Sequence, residues 1–346
     1  MTASGLPRDP PHGLSRPGWR HLADRGLLLL AAIALAAALF DPGVMTQRPL
    51  VDHVVVIDVT QSMNVLDERI DGEPVSRLVF AKQALRQSLL RMPCGSKVGW
   101  AVFTEYRALL LLSPIEVCAN LKELRSTLAQ IDTRMAWSGN SEIAKGLHSA
   151  IGIATLLPDK PSLVFVTDGQ EAPPLNPRYR PAFDDKPGDV AGLIVGVGDL
   201  RPSPIPKTDQ EGNPLGFWRP DEVAQTDLRS QGRNASVRSE GMVDDAAGSN
   251  VPTLGATPGS EHLSALRESY LRLLAGEQGL EFVRLQSPER LAQALMSPAL
   301  ARPEPARFSL AGVLAAVAWG LLLVRYAVPL LFRRRASRTG LKTRVS

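Results

Sequence analysis

Two stretches constrain the fold of this 346-residue chain more than any others: Val54-Val55-Val56-Ile57-Asp58 and Leu163-Val164-Phe165-Val166-Thr167-Asp168. Each is a short, nearly unbroken run of apolar residues that stops at a carboxylate. A strand with one wet face alternates apolar and polar residues, whereas a continuous run means that both faces are covered. Val190 to Val197 (VAGLIVGV) is a third run of this kind. Helical stretches lie between the runs. Leu78, Ala81, Leu85, Leu89 and Met92 share one face of a helix over Ser76 to Arg91, and a second helix covers Ile143 to Leu156. Buried strands alternating with helices predict a doubly wound, mostly parallel α/β sheet. In such sheets ligands bind beyond the carboxyl ends of strands, which is where Asp58 and Asp168 fall.

Asn64 to Pro74 reads as a polar loop. Val98 to Thr104 and Ala108 to Leu112 are strands joined by Glu105-Tyr106-Arg107, a connection short enough for an antiparallel edge hairpin. A helix over Ile115 to Ile131 follows. Cys94 precedes the first of these strands and Cys118 follows the second, so both belong at one end of the sheet. The expected pairing is a Cys94–Cys118 disulfide, with two free buried thiols as the alternative. Residues 201–261, rich in Pro, Gly, Ser and Asn, read as an irregular insertion. Within it Pro204-Ile205-Pro206 and Gly216-Phe217-Trp218 form a short ribbon, and 225–260 is a flexible surface segment. Order returns in a helix over His262 to Ala275, a strand over Leu280 to Leu285 and a helix over Pro288 to Leu295. Residues 297–307 read as a linker.

Two hydrophobic segments bracket this body, which spans residues 50–296. Residues 26–40 (GLLLLAAIALAAALF) are 15 residues without a charge, short for a bilayer core of about 30 Å. They read as an uncleaved transmembrane anchor with Arg25 at the interface, or else as a signal-peptide core. Residues 308–332, interrupted by Arg325 and Pro329, are a second predicted transmembrane helix. The net charge of +4 and pI near 9.2 belong to the ends. Residues 1–25 hold four arginines against two aspartates, and 333–346 hold six basic residues and no acid. The body is acidic, so nucleic-acid binding loses its support. Basic tails on both ends place both termini in the cytoplasm and residues 41–307 on the opposite side, the periplasm of a bacterial inner membrane. A disulfide persists in such a compartment.

Asp58-x-Thr60-x-Ser62 follows the first run, Ser141 lies in the turn Trp137 to Ile143, and Asp168 ends the second run. Carboxylates and hydroxyls without His or Cys suit Mg²⁺, Ca²⁺ or Mn²⁺. Each residue also has a plain reading, as a strand-end turn or, for Ser141, a helix N-cap. Glu142 and Glu171 are assigned to solvated surface. No Gly-x-Ser-x-Gly, His-Glu-x-x-His or phosphate-cradling glycine loop is present. Phosphatase chemistry at Asp58 wants a second acid two residues on, where this chain has Thr60. The expectation is a protein that is not an enzyme.

In this order the three elements resemble the von Willebrand factor A domain and its metal-ion-dependent adhesion site, over about residues 50–296. Met63 after the motif, Arg77-Leu78 and Ala81-Lys82 where such domains often read R-L-x-x-A-K, and Thr167-Asp168-Gly169 extend the likeness. The family usually reads Asp-x-Ser-Gly-Ser, with Thr in the second motif; here Thr60, Gln61 and Ser141 stand instead. The resemblance implies that the hydroxyls of Thr60, Ser62 and Ser141 ligate a divalent cation, most often Mg²⁺. Asp58 and Asp168 would act directly or through water, and an open position would take a partner's carboxylate. A span, a domain and a second span look like the bacterial aerotolerance-type and MxaL-type methanol dehydrogenase maturation proteins. Asp58 to Met63 with Pro93 to Trp100 is similar to the second group. That likeness implies an accessory factor for calcium insertion into a periplasmic dehydrogenase, with sister A-domain membrane proteins and a MoxR-type ATPase as partners. The alternative is an aerotolerance-type envelope-stress assembly.

Overall fold

The computed structural model describes residues 18–175, 179–183, 186–209, 211–223, 241–244 and 260–339. The chain divides into a unit of residues 49–303 and a second unit made by its two ends.

In the second unit α1 (Gly18–Leu39) and α7 (Ala311–Thr339) pack on each other. Ala31 and Ala318 are buried between exposed apolar residues, as at small-residue helix contacts. Leu29, Ile33 and Leu35 on α1 and Val317, Trp319 and Val324 on α7 face outward. Among the described residues no helix is long and apolar enough to cross a membrane. Residues 18–25, read from the sequence as part of a tail, belong to α1, and α7 continues past 332 into the second basic segment. Residues 1–17 and 340–346 of the tails lie outside the described residues, as do 224–240 and 245–259 of the insertion.

The larger unit is built on β1 (Gly43–Asp58). Leu50 to Asp58 are buried without a break, because the sheet is covered on both sides. A hairpin of β2 (Glu68–Ile70) and β3 (Glu73–Val75) leads into α2 (Arg77–Leu89), capped by Ser76 on the Val79 amide. Next come β4 (Lys97–Thr104), β5 (Arg107–Glu116), α3 (Leu121–Gln130), α4 (Ile143–Leu156) and β6 (Ser162–Thr167). After β7 (Tyr179–Ala182) comes β8 (Gly192–Gly196), then β9 (Ser203–Pro204) and the hairpin of β10 (Pro206–Thr208) and β11 (Pro214–Phe217). β12 (Gly241–Asp244) pairs with β7, and β13 (Leu263–Ser264) with β9. The chain closes with α5 (Glu268–Gln278), β14 (Glu281–Arg284), α6 (Pro288–Leu295) and β15 (Ala301–Ser309).

The main sheet has the order β14-β8-β6-β1-β4-β5, parallel except for the antiparallel edge strand β5, while β15 pairs with β1 off this path. Side chains along β1 alternate between two cores. Val55 and Ile57 join Trp100, Leu85, Leu124 and Leu291 on the side of α2, α3 and α6. Val54 and Val56 join Phe103, Phe165, Leu147 and Leu271 on the side of α4 and α5. Trp100 Nε1 donates to Leu124 O at 3.0 Å and ties α3 down. A Cβ on Gly146 would lie 2.0 Å from the Phe103 ring, so only glycine lets α4 lie this close. Because β1 has β4 on one side and β6 on the other, the chain reverses direction across the sheet at β1. Asp58 therefore stands at the topological switch point.

Several expected boundaries change. The helix over Ile115 to Ile131 starts only at Leu121, because β5 continues to Glu116 through Pro114, which an edge strand tolerates. The loop Asn64 to Pro74 contains the β2–β3 hairpin. Residues 297–307 are no simple linker: β15 occupies Ala301–Ser309, with its prolines on a strand that pairs on one side. The helix over His262 to Ala275 begins later, at Glu268. The Leu266 and Arg267 amides donate to Asp199 O and Asp168 O, holding that segment extended against the end of the sheet. Cys94 and Cys118 are disulfide-bonded.

Candidate metal centre

Asp58 is fully buried at the end of β1, and its loop folds around it. Its Oδ1 accepts from the Thr60 amide at 2.9 Å and from Thr60 Oγ1 at 2.7 Å; its Oδ2 accepts from Thr167 Oγ1 at 2.7 Å. Thr60 Oγ1 lies 3.3 Å from Ser62 Oγ at the start of a 3₁₀ turn over Gln61–Asn64. Burial, and then the charge of Asp168, push the Asp58 carboxyl up to about 7, against hydrogen bonds from Thr167 and Thr60. A cation beside it would reverse that bias.

Ser141 arrives from the other side. It is not the N-cap of α4; that position is Glu142, whose side chain makes no capping bond. Ser141 instead bridges backbone to backbone, exchanging 2.7 Å hydrogen bonds with Ala172 in both directions. Its hydroxyl is buried and has no hydrogen-bond partner among the described residues. A buried hydroxyl in that condition needs an explanation. Thr60, Ser62 and Ser141 line one cavity of about 230 Å³. Asp58 and Asp168 stand behind them, fully buried.

Asp168 is already committed. Its Oδ1 accepts from the Gln170 amide at 2.9 Å, and its Oδ2 accepts from Arg77 Nη1 at 2.6 Å and Ser264 Oγ at 3.2 Å. Arg77 is completely buried and also grips Asp67 through Nε and Nη2, the latter at 2.6 Å. Burial works against the guanidinium charge, but Asp168 and Asp67 outweigh it and keep it protonated. Gly198, at φ +117°, makes room for it: a Cβ there would lie 2.5 Å from Arg77 Nε. Arg77 is the site residue that sequence reasoning passed over as a mere family match. A signal was present, since a cation in the first turn of a helix opposes the helix dipole and calls for a partner.

Glu142 and Glu171 are not solvated surface. Both are buried; Glu142 pairs with Lys145 at 2.6 Å. Glu171 Oε1 accepts from Tyr270 Oη at 2.5 Å and from the Ala144 amide at 3.2 Å, so it is Glu171 that caps α4. Burial pushes its carboxyl up to about 7. A charge pattern along one chain does not reveal that another segment covers it.

Gln61 accepts a hydrogen bond from Trp218 Nε1 of the insertion. Lys207 lies 4.5 Å from the centre of the Trp218 ring and pairs with Glu222 at 2.8 Å. Gln61, Trp218 and Glu222 all line the cavity, so the ordered ribbon of the insertion forms its far wall. Convergent hydroxyls, one of them unpartnered, backed by buried carboxylates suit a hard cation.

No protein-family model matches the chain, and no curated protein matches it. Among solved structures, an aerotolerance-related membrane protein from Bacteroides fragilis is 17% identical, with 71% of this chain and 96% of that one covered and a TM-score of 0.43. A membrane-spanning protein from Vibrio fischeri is 15% identical, with 70% and 95% covered and a TM-score of 0.26. A von Willebrand factor type A protein from Catenulispora acidiphila is 12% identical, with 72% and 42% covered and a TM-score of 0.33. The mixed α/β architecture with its mostly parallel central sheet fits a von Willebrand A-like fold.

Proposed function

We propose that this chain is a non-enzymatic module that captures a protein partner through a divalent cation, Mg²⁺ ahead of Ca²⁺ or Mn²⁺. The observation that carries this reading is the Ser141 hydroxyl, buried without a partner among the described residues in a cavity that Thr60 and Ser62 also line. The residues that would hold the ion are Thr60, Ser62 and Ser141, with Asp58 and Asp168 behind them. A cation held this way keeps Lewis acidity toward a partner's carboxylate. Outward-facing Leu and Val residues on α1 and α7 support membrane anchoring of both ends, and the basic residues of both tails support a body in the periplasm. The likeness of Asp58 to Met63 and of Pro93 to Trp100 to MxaL-type proteins supports a role in maturing a periplasmic dehydrogenase. Sister A-domain proteins and a MoxR-type ATPase would then be its partners.

Affinity capture from an envelope extract, with Mg²⁺ and with chelator, tests the reading. Ser141→Ala should abolish Mg²⁺-dependent capture while melting within a few degrees of wild type. Equal capture in chelator would sink the proposal.

A further inference from the structure

The cavity holds a carboxylate that the site as described leaves without a task. Glu261, at the return of the insertion to the sheet, is buried, and its Oε2 accepts from Gln170 Nε2 at 3.2 Å. Its Oε1 is buried with no hydrogen-bond partner among the described residues, the same condition as Ser141 Oγ in the same cavity. Among the described residues three carboxylates line this cavity, and two of them are engaged: Glu171 by Tyr270 and the Ala144 amide, Glu222 by Lys207. Arg267 attracts Glu261 electrostatically and donates to Gln170 Oε1 at 3.2 and 3.1 Å, while Oε1 of Glu261 still lacks a donor among the described residues. A buried carboxylate oxygen without a donor is costly unless a cation answers it.

The ion's own requirements point the same way. Hard dications such as Mg²⁺ are held through one or two carboxylates rather than by hydroxyls alone. Both oxygens of Asp58 already accept hydrogen bonds, and Asp168 spends its charge on Arg77. Resting on the reading of this cavity as a cation site, we propose that Glu261 is a further cation ligand. Its Oε1 supplies, from the insertion side, the negative charge that Asp168 gives to Arg77.

The test uses the full chain in detergent micelles and MnCl₂ alone. Calorimetric titration is run on wild type, Ser141→Ala and Glu261→Gln, with thermal unfolding of each in chelator and in Mn²⁺. Wild type should bind one Mn²⁺, and each variant should bind it at least tenfold more weakly. In chelator Glu261→Gln should melt no lower than wild type, because the amide removes a buried charge and can keep the Gln170 contact. In Mn²⁺ it should lose most of the wild-type rise in melting temperature. If Ser141→Ala weakens binding while Glu261→Gln stays within twofold of wild type, Glu261 is no ligand and the cation site stands. A Glu261→Gln variant that melts lower in chelator with unchanged affinity assigns the residue a structural role and overturns the proposal. Wild type that binds no Mn²⁺ overturns the cation site and this proposal together.

Discussion

Arg77→Met is the substitution whose consequence follows most directly from the structure. Methionine keeps an unbranched apolar stem in the space beside Gly198 and removes the guanidinium. Asp168, with a fully buried side chain, and Asp67, at 6% exposure, then lose the cation that lies 2.6 Å from each. Removing one partner of a buried ion pair costs about 3–5 kcal/mol, because the charge left behind stays desolvated. The Ser264 carbonyl loses its 3.1 Å donor as well, while the Ser264 hydroxyl keeps its bond to Asp168. A total of about 4 kcal/mol corresponds to a melting temperature lower by roughly 8–16 °C for a unit of this size. The measurement is thermal unfolding in chelator of wild type, Arg77→Met, Asp168→Asn and the double variant. The double variant should be less destabilised than the sum of the singles by at least about 1.5 kcal/mol, since Arg77→Met strands the Asp168 charge and the double variant does not. Arg77→Met should also bind Mn²⁺ more tightly than wild type, because a dication becomes the available counter-charge for Asp168. A loss under about 1 kcal/mol, or additive effects in the double variant, would refute the account of Arg77 as the buried clamp on Asp168.

Two further outcomes are expected. Burial lowers His53 to about 4, against the Leu295 carbonyl and the Asp52 charge, so the unfolded chain takes up a proton near 6.5 and the folded one only near 4. The unfolded state therefore binds more protons in that window, and wild type should lose about 3 kcal/mol relative to His53→Gln as pH falls from 6.5 to 4. Parallel stability curves would remove His53 as the cause. The Cys94–Cys118 bridge spans a sequence separation of 24, a loop whose closure contributes about 3 kcal/mol by chain entropy. Cys94→Ser/Cys118→Ser should lower the urea midpoint accordingly, and an unchanged midpoint would show that the bridge leaves the unfolded chain unconstrained.

What was legible in the sequence follows from what each signal depends on. Burial on both faces leaves an unbroken apolar run, so β6, β8 and the buried half of β1 announced themselves. α4 and α6 coincide with their expected bounds, Ile143–Leu156 and Pro288–Leu295. The exposed half of β1 and the whole of β15 did not show. Their pairing rests on backbone hydrogen bonds between segments about 250 positions apart, and one of them carries Pro303 and Pro305. The placement of Thr60 and Ser62 beside Asp58 and Asp168 was legible because strand ends converge at the switch point, whereas Ser141 comes in from the turn before α4. Glu171 and Glu142 were misread because their burial comes from partners remote in sequence or from the packing of α4 and α5. Glu261 was hidden for the same reason, inside a stretch whose composition reads as loop.

The way charge is distributed around the cavity gives this a direction. The packing that makes the strands legible also carries carboxylates to a place that water does not reach. Each must be answered from within: Asp58 by hydroxyls and an amide, Asp168 by Arg77, Glu171 by Tyr270 and a helix amide. Arg77 is itself shared with Asp67, so negative charge stays in excess at this end of the sheet. Burial, joined for Asp58 by the charge of Asp168, pushes Asp58 and Glu171 each up to about 7 against the hydrogen bonds they accept. A dication in front of the hydroxyls would offset that excess, and Glu261, with the Arg267 charge nearby, keeps one buried oxygen without a hydrogen-bond donor among the described residues. If the site served no cation, the simplest repair would be an amide at 261, which could keep the Gln170 bond without the charge. Retention of a carboxylate there is what Glu261→Gln puts to the test.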